Sequence, residues 1–228
     1  MIRETGHSVA EILMRQPMFR ALGSQDLQAL STNTLEYRLN KGEMLFQKGD
    51  LLTGMYVMVT GQAILFLPSM GGAEKVIHLA RPGETFGEET LYAHVPCPYS
   101  AQVDKDSIVL IVKVHALEAL TDRNQTFSHA MMANLCGRAC QLIDNMETCT
   151  QRSSAQRVAH YLAQQMPPHA SNYDVRLDTT KQIIAAQLNL TPETFSRVLK
   201  KLSNHGYIRL NRGSIQVSNR DTLCAYAG

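Results

Sequence analysis

The residues with the most informative chemistry lie between positions 191 and 202. Glu193, Ser196 and Arg197 fall on the polar side of a segment whose other side is apolar. An arginine can bond bidentately to guanine, a carboxylate can accept from the cytosine amino group, and a serine can contact a thymine edge. These three residues are therefore candidates for base contacts in the major groove of DNA.

Other residues near this segment are suited to bind backbone phosphates, which position a protein on DNA without specifying a sequence. The candidates carry cations or hydroxyl groups, and they are Lys181, Thr191, Thr194, Lys200, Lys201 and Arg212, with Arg209 as a further cation. Residues 176–228 hold eight of the 22 Lys and Arg but three of the 20 Asp and Glu, a net charge of +5, whereas the remainder carries −3. This charge distribution favours a nucleic-acid-binding module fused to another domain.

Two helices joined by a short turn must hold these side chains. The apolar spacing predicts helices over 180–188 and 192–202, and Asn189 between them tolerates a left-handed turn. Thr191 is the expected N-cap of the second helix, and Pro192 at its first position has no amide hydrogen to lose. This is the helix-turn-helix pattern.

A hairpin predicted over 207–217, with its turn at 211–214, would add a wing. The alternative for the whole region is an ordinary helical hairpin whose basic face is simply solvated.

The residues from 35 to 114 predict an antiparallel β-barrel or jelly roll. Short segments rich in Val, Ile, Leu and Tyr alternate there with turns that contain glycine. The predicted strands are 43–47, 54–59, 63–67, 75–79, 99–103 and 107–114. Short helices over 8–30 precede them, and helical sequence resumes at 115.

A long helix is predicted from about 127 to 149, with apolar residues at alternating steps of three and four. This spacing marks an a/d seam and predicts a homodimer interface at Met132, Leu135, Ala139, Leu142, Met146 and Cys149. The alternative is an amphipathic helix that packs on its own barrel. The predicted fold is thus α+β, with a sensor β-barrel over 1–120, a dimerisation helix over 121–150 and a winged helix-turn-helix over 151–228.

Composition excludes several classes of protein. The 228 residues are 44% hydrophobic and 18% charged, which suits two domains with real cores. No window approaches 18 uninterrupted apolar residues and no secretory signal begins the chain, so no membrane partner and a cytoplasmic location are expected. Five irregularly spaced cysteines argue against a disulfide framework and a structural zinc site. The absence of paired carboxylates at active-site spacing, a Gly-rich phosphate loop, H-E-x-x-H and a nucleophile elbow argues against an enzyme.

Two sets of residues resemble a known family. The barrel contains 41–43, 56–61 and the run Pro-Gly-Glu-Thr-Phe-Gly-Glu at 82–88, and the helix-turn-helix contains Leu-Thr-Pro-Glu-Thr-Phe-Ser-Arg at 190–197. Over residues 15–225 the chain resembles the CRP/FNR superfamily of bacterial transcription regulators. The resemblance implies a cyclic-nucleotide-binding-type barrel, a homodimer, and double-stranded DNA and RNA polymerase as partners.

The recognition residues are similar to those of FNR-type and DNR-type regulators, which implies inverted TTGAT-like half-sites. The cyclic AMP receptor type has an arginine where this chain has Pro192. Since proline cannot make a charged contact with guanine, a TGTGA-type half-site is disfavoured. A dimer would place its two recognition helices about one helical turn, roughly 34 Å, apart on a palindrome.

The resemblance also implies an effector pocket at Phe86, Gly87, Glu88, Tyr99 and Ser100. In members that bind cyclic nucleotides, a Gly-Glu pair holds the ribose and an Arg holds the cyclic phosphate. Tyr99 stands at the Arg position, so the cation that would face the phosphate is absent and cyclic AMP is not expected. No cysteine precedes Cys97, so an FNR-type iron–sulfur cluster is not expected either.

Three signals remain open: haem b, another small molecule, and thiol oxidation. Haem is found in DNR-like nitric-oxide sensors and CooA-like carbon-monoxide sensors, but no spacing marks an axial ligand among His7, His78, His94, His115 and His129. Metal ligands therefore stay unknown. We expect an effector in the barrel, such as haem-bound nitric oxide, to shift the long helices of an activator. The alternative is effector-independent or thiol-redox control of the same fold.

Overall fold

The computed structural model describes residues 8–68, 74–165, 167, 172–177, 179–211 and 213–227, without the side chains of residues 149, 220 and 227. The chain divides into two compact units, Met1–Ala139 and Cys140–Gly228. The division falls within the segment 121–150 that the sequence predicts as a dimerisation helix, and the predicted domain bounds stay a prediction. In the described part of the chain, no helix has both the length and the apolarity needed to span a membrane.

The strands of the first unit pair into two antiparallel sheets that form a jelly roll. In chain order they are β1 (Thr34–Leu39), β2 (Met44–Phe46), β3 (Gly54–Thr60), β4 (Ala63–Leu67), β5 (Lys75–Ala80), β6 (Thr85–Phe86), β7 (Ser100–Val103) and β8 (Ser107–Lys113). One sheet has the order β1-β8-β3-β6 and the other has the order β2-β7-β4-β5. The fold class predicted from the sequence is confirmed.

Helices precede and follow the strands of this jelly roll in the chain, and one short helix, α3, lies between β6 and β7. They are α1 (Val9–Arg15), a 3-10 turn (Pro17–Phe19), α2 (Ser24–Ser31), α3 (Glu88–Ala93), α4 (Val114–Arg123) and α5 (Gln125–Gln151). A capping box at Ser8 and Glu11 starts α1 because each side chain bonds to the backbone amide of the other residue.

The six predicted strands lie within one residue of their observed bounds, but three short elements of this unit were not predicted. β1 has the burial pattern of a partly exposed edge strand with a mixed polar sequence, and β6 has only two residues. The helix α3 has only six residues, too few for an apolar period to appear. Each of these elements is defined by its pairing or packing partners.

The long helix α5 has a face that packs on the barrel. Phe127 and Met131 are buried in the same apolar cluster as barrel and N-terminal residues, and Phe19 stacks on Phe127 with ring centroids 5.9 Å apart. Leu135 packs against this cluster as well. Leu135 is therefore partly covered by the chain's own barrel, and its place in the dimer interface stays a prediction. Apolar residues that face the barrel and apolar residues that face away from it recur at the same helical spacing, so spacing alone cannot distinguish the two faces of α5.

The other side of α5 exposes large apolar side chains. The exposed fractions are 53% for Met132, 52% for Leu142, 66% for Ile143 and 68% for Met146. Ala139 is exposed beside them, whereas the side chain of Cys149 lies outside the described residues. Exposed apolar residues in a row along one helix are typical of a surface that binds a partner.

The second unit contains α6 (Ser154–Gln164), β9 (Tyr173–Arg176), α7 (Lys181–Gln187), α8 (Pro192–Asn204), β10 (Ile208–Asn211), β11 (Ser214–Val217) and α9 (Arg220–Ala227). The strands form a sheet in the order β10-β11-β9. The wing hairpin is confirmed, while β9 and α9 were not predicted. One apolar cluster, which includes Val158, Leu162, Phe195 and Leu199, joins the helices to this sheet.

The close packing of the jelly roll can be tested by a substitution at Gly61, in the turn between β3 and β4. Its φ angle is +83°, and a Cβ atom there would lie 2.1 Å from the Oγ of Ser107 and 2.6 Å from the carbonyl oxygen of Asp106. Gly42 has a similar φ of +93° but open space around it. We expect Gly61→Ala to lower the free energy of unfolding by about 1 to 3 kcal/mol more than Gly42→Ala, since only the first adds a clash. Urea unfolding followed by circular dichroism measures the difference, and equal losses would contradict it.

Candidate functional site

The predicted base-contact residues share the exposed side of α8. Glu193, Ser196 and Arg197 are exposed, whereas Phe195, Val198, Leu199 and Leu202 on the opposite side are buried in the core of the second unit. Burial of one face fixes the rotation of the helix about its axis. The three polar side chains therefore point away from the core, near the N-terminal end of the helix.

The first turn of α8 is held by its own cap. The backbone amide of Thr194 donates to the Oγ1 of Thr191 at 3.2 Å, and the two threonine hydroxyls lie 3.0 Å apart. Pro192 occupies the first helical position, and Glu193 lies at the positive end of the helix dipole. This confirms the cap predicted from the sequence.

The turn before α8 is tied to α6 by one arginine. Asn189 adopts the predicted left-handed conformation, with φ at +55°. A guanidinium nitrogen of Arg157 donates to the carbonyl oxygens of Leu188 at 3.1 Å and Asn189 at 3.3 Å. Its Nε donates to the carbonyl oxygen of Arg152 at 3.0 Å, just before Ser153 caps α6. Arg157 thus satisfies carbonyls that the end of α7 leaves unpaired.

The predicted phosphate-binding cations surround α8. Lys181 begins α7, Lys200 and Lys201 lie on α8, and Arg209 lies on β10, and all four are exposed. Among the residues that the structure describes, no salt bridge joins a carboxylate to any of the three lysines or to Arg197. Thr194 is half-buried through its contact with Thr191, and Arg212 lies outside the described residues. These unpaired cations are available to an anionic partner.

The predicted effector pocket contains a buried carboxylate, Glu88. It follows Gly87, which is the left-handed N-cap of α3, and its side chain is 0% exposed. Its Oε1 accepts hydrogen bonds from Thr85 Oγ1 at 3.1 Å, Asn134 Nδ2 at 2.8 Å and Arg138 at 2.8 Å. Its Oε2 has no hydrogen-bond partner in the described part of the chain.

Arg138 of α5 neutralises part of the charge in this pocket. Its guanidinium lies 2.8 Å from Glu88 and 3.3 Å from Glu89, and it also donates to the carbonyl oxygen of Thr85 at 3.3 Å. Burial alone lowers the pKa of Arg138, but the two carboxylates raise it above its usual value, so the guanidinium stays charged. Burial raises the pKa of Glu88, and Arg138 opposes that rise.

Aromatic rings fill the interior next to this network. Phe46 lies against Tyr56, Tyr99 and Phe86 with ring centroids 5.0, 5.7 and 6.2 Å away, and Tyr56 stacks on Phe86 at 5.3 Å. The hydroxyl of Tyr99 donates to Glu89, and burial together with that carboxylate raises the pKa of Tyr99. Ser100 accepts from the amide of Lys48 at 2.9 Å.

Comparison with known proteins covers both units. Residues 36–124 match the cyclic nucleotide-binding domain, and residues 156–226 match the Crp-like helix-turn-helix domain. The chain belongs to the CRP/FNR superfamily of transcription regulators. It is a DNA-binding regulator and not an enzyme.

Individual members of the superfamily are distant from this regulator. The cyclic AMP receptor protein of Thermus thermophilus is 27% identical over 202 residues, which are 88% of this chain and 92% of that protein. The fumarate and nitrate reduction regulatory protein of Salmonella typhimurium is 25% identical over 195 residues, with coverage of 83% and 77%. The solved structure of FixK2 from Bradyrhizobium japonicum is 23% identical, with a TM-score of 0.76 over 86% of this chain and 98% of that one, and shares the fold.

The described histidines and Cys97 of the regulator's first unit are poorly placed to bind a haem iron. An imidazole or thiolate that held a haem iron in the barrel would have to face the interior. His78 is bonded to Glu84 at 2.7 Å and His115 to Asn33 at 2.9 Å, and both His94 and His129 are exposed. His7 lies outside the described residues. Cys97 is buried, and burial raises the pKa of its thiol, which disfavours a thiolate ligand.

Two residues of this pocket were missed by sequence reasoning, namely Asn134 and Arg138. They lie 46 and 50 positions from Glu88 in the chain, and helical spacing marks them only as polar residues on a helix. The available signal was their place on the side of α5 that also carries Phe127 and Met131. A polar residue in line with a buried apolar face is expected to have a buried partner.

The capping threonine of α8 can be tested by substitution. Thr191→Ala removes the acceptor of the Thr194 amide and is expected to lower the free energy of unfolding of the regulator by about 1 kcal/mol. Thr191→Ser keeps the hydroxyl group and serves as the matched control. Thermal unfolding monitored at the helical circular dichroism band measures both, and equal stability of the two variants would show that the cap contributes nothing.

Proposed function

We propose that this regulator binds, as a homodimer, DNA palindromes built from inverted TTGAT-like half-sites. The observation that carries the proposal is the outward orientation of Glu193, Ser196 and Arg197 on one exposed face of α8, opposite a fully buried face. Contacts from a helix face to base edges specify sequence, whereas the cations around it contribute affinity.

The half-site preference follows from the chemistry of three positions. Arg197 can donate two hydrogen bonds to the guanine of TTGAT, and Glu193 can accept one from a cytosine amino group on the opposite strand. Pro192 offers no donor at the position where the cyclic AMP receptor type has an arginine. These residues support TTGAT over TGTGA.

The dimer is proposed to form through the exposed apolar side of α5. Met132, Ala139, Ile143 and Met146 follow one another at steps of seven, four and three, which keeps them on one side of the helix. Compared with the seam expected from the sequence, this row adds Ile143. It leaves out Leu135, which packs on the barrel cluster, Leu142, and Cys149, whose side chain is not described. A second copy of the chain would cover it and place two copies of α8 on one face of the DNA.

Other expectations rest on the superfamily alone or on single residues. RNA polymerase is expected as the second macromolecular partner of an activator, from family membership. Thiol control stays the alternative means of regulation, because Cys136 and Cys140 are exposed one turn apart on α5. Haem-bound nitric oxide is not carried into the proposal, since the four described histidines considered as iron ligands are exposed or bonded to other side chains.

The role of Arg197 is tested with paired DNA sites. We expect Arg197→Ala to weaken binding to the TTGAT palindrome by about 1 to 3 kcal/mol per half-site and to bind TTGAT and TTAAT palindromes equally, because the guanine contact is lost. Fluorescence anisotropy of labelled duplexes gives the dissociation constants.

Lys200→Ala is the comparison for this experiment. It should weaken binding to specific and random duplexes alike and reduce the salt dependence by about one counterion per contact. If the wild-type protein did not distinguish TTGAT from TGTGA palindromes, or if Arg197→Ala kept the full preference for guanine, the assignment of the base contacts would be wrong.

The dimer surface is tested by a charge at Ile143, which is 66% exposed. Ile143→Glu should convert the protein from a dimer to a single chain of 25.4 kDa, because a dimer would have to bury the carboxylate against apolar neighbours. Gln141→Glu adds the same charge at an exposed polar position of α5 and should stay dimeric. Sedimentation equilibrium gives the masses, and a dimeric Ile143→Glu variant would place the interface elsewhere.

A further inference from the structure

The network around Glu88 joins α5 to α3 through the chain's own side chains. Asn134 and Arg138 lie one helical turn apart on α5, and both donate to the same carboxylate oxygen of Glu88 at 2.8 Å. Arg138 also reaches Glu89, the next residue of α3, at 3.3 Å. The long helix is therefore bonded to the barrel at the position where relatives that bind cyclic nucleotides are expected to hold a ribose.

This connection is buried, which distinguishes it from a surface ion pair. The side chain of Glu88 is 0% exposed and that of Arg138 is 21% exposed. Removal of one partner from a buried ion pair leaves the other charge without compensation in a medium of low dielectric constant. Separation of α5 from α3 is therefore costly unless another cation takes the place of Arg138.

The charge and the available space both disfavour an anionic ligand here. The carboxyl groups of Glu88 and Glu89 face one guanidinium, and the Tyr99 hydroxyl donates to Glu89, so an added anion would meet two acidic groups and one cation that is already paired. The ring of Phe46 contacts those of Tyr56 and Tyr99, Tyr56 stacks on Phe86, and all four rings are buried in the adjoining cluster. A nearby cavity of about 260 Å³ is lined by Gly83, Thr85 and Asn134, with Pro17, Met18 and Ala130, and includes none of the four rings.

We infer that Arg138 and Glu88 act as a built-in substitute for a barrel ligand, so that specific DNA binding requires no small molecule in the barrel. Arg138 is a positioning residue in this view: it holds α5 on α3, and α5 continues past it into the second unit. The inference rests on the proposed function, because it assumes that specific DNA binding is the activity that the barrel would control.

The first experiment asks whether ligand-free protein binds DNA. Wild-type protein is unfolded in urea, dialysed, refolded and used to select duplexes from a random pool, so that the outcome does not depend on the TTGAT assignment. We expect the refolded protein to select a palindrome without any added small molecule. Cyclic AMP, cyclic GMP or haemin at saturating concentration should change the dissociation constant by less than about twofold, well below an allosteric coupling of 5-fold to 150-fold.

The second experiment removes the network. Arg138→Met keeps the length of the side chain but not its charge, and the double variant Arg138→Met with Glu88→Gln also removes the uncompensated carboxylate. We expect a loss of about tenfold or more in affinity for the selected palindrome, within the usual range of coupling between sites, with unchanged binding to random duplexes. The double variant keeps the test available if the single one does not fold.

Arg123→Met is the matched control. Arg123 of α4 also pairs with a carboxylate, Asp26 at 2.8 Å, but its side chain is 53% exposed. This variant should bind the palindrome as the wild type does. Circular dichroism and sedimentation show that each variant is folded and of unchanged mass, so a loss of specific binding reports the position of α5.

Two results would overturn the inference. One is refolded protein that selects a palindrome only after one of the three compounds is added. The other is a folded Arg138→Met or double variant that binds the palindrome with wild-type affinity. Selection of a palindrome other than TTGAT would instead correct the proposed half-site. Failure to select any sequence under any condition would contradict the proposed function itself.

Discussion

A single buried carboxylate constrains the first unit. Glu88 is completely enclosed, and a charge in that position is tolerated only if donors surround it. Thr85 supplies one donor from β6, and α5 supplies two more through Asn134 and Arg138. The packing of the long helix on the jelly roll is thereby tied to an electrostatic requirement as well as to the apolar contacts of Phe127 and Met131.

The second unit satisfies a different constraint, the orientation of a polar helix face. Four large apolar residues of α8 are buried on one side of the helix. Its charged and hydroxyl side chains therefore lie on the opposite side, away from the core. The cap at Thr191 and the left-handed residue Asn189 set where the helix begins. Local chemistry therefore determines which residues are presented to DNA.

The sequence predicts these two regions with unequal success, and the difference is physical. The helix-turn-helix is encoded by neighbours in the chain: a cap, a proline, a turn residue and an apolar period all lie within about twenty positions. The network at Glu88 joins residues about fifty positions apart, and its donors look like ordinary polar residues of a helix. The predicted seam on α5 includes Leu135, which packs against the barrel cluster, because one helical period describes both the face toward the barrel and the face away from it. The strands were found because turns with glycine punctuate them, whereas β1, β6 and β9 are short or polar and depend on partners that the chain order does not reveal.

The tie made by Arg157 has a consequence for engineering. Because one guanidinium joins the carbonyl before α6 to the two carbonyls at the end of α7, the start of α6, the turn and the start of α8 form one mechanical block. A graft that moved only residues 181–204 between family members would leave Arg157 behind, so the carbonyls of Leu188 and Asn189 would enter the new host without their donor. Transplanting residues 152–204 as one cassette would carry the donor and its acceptors together into the new host.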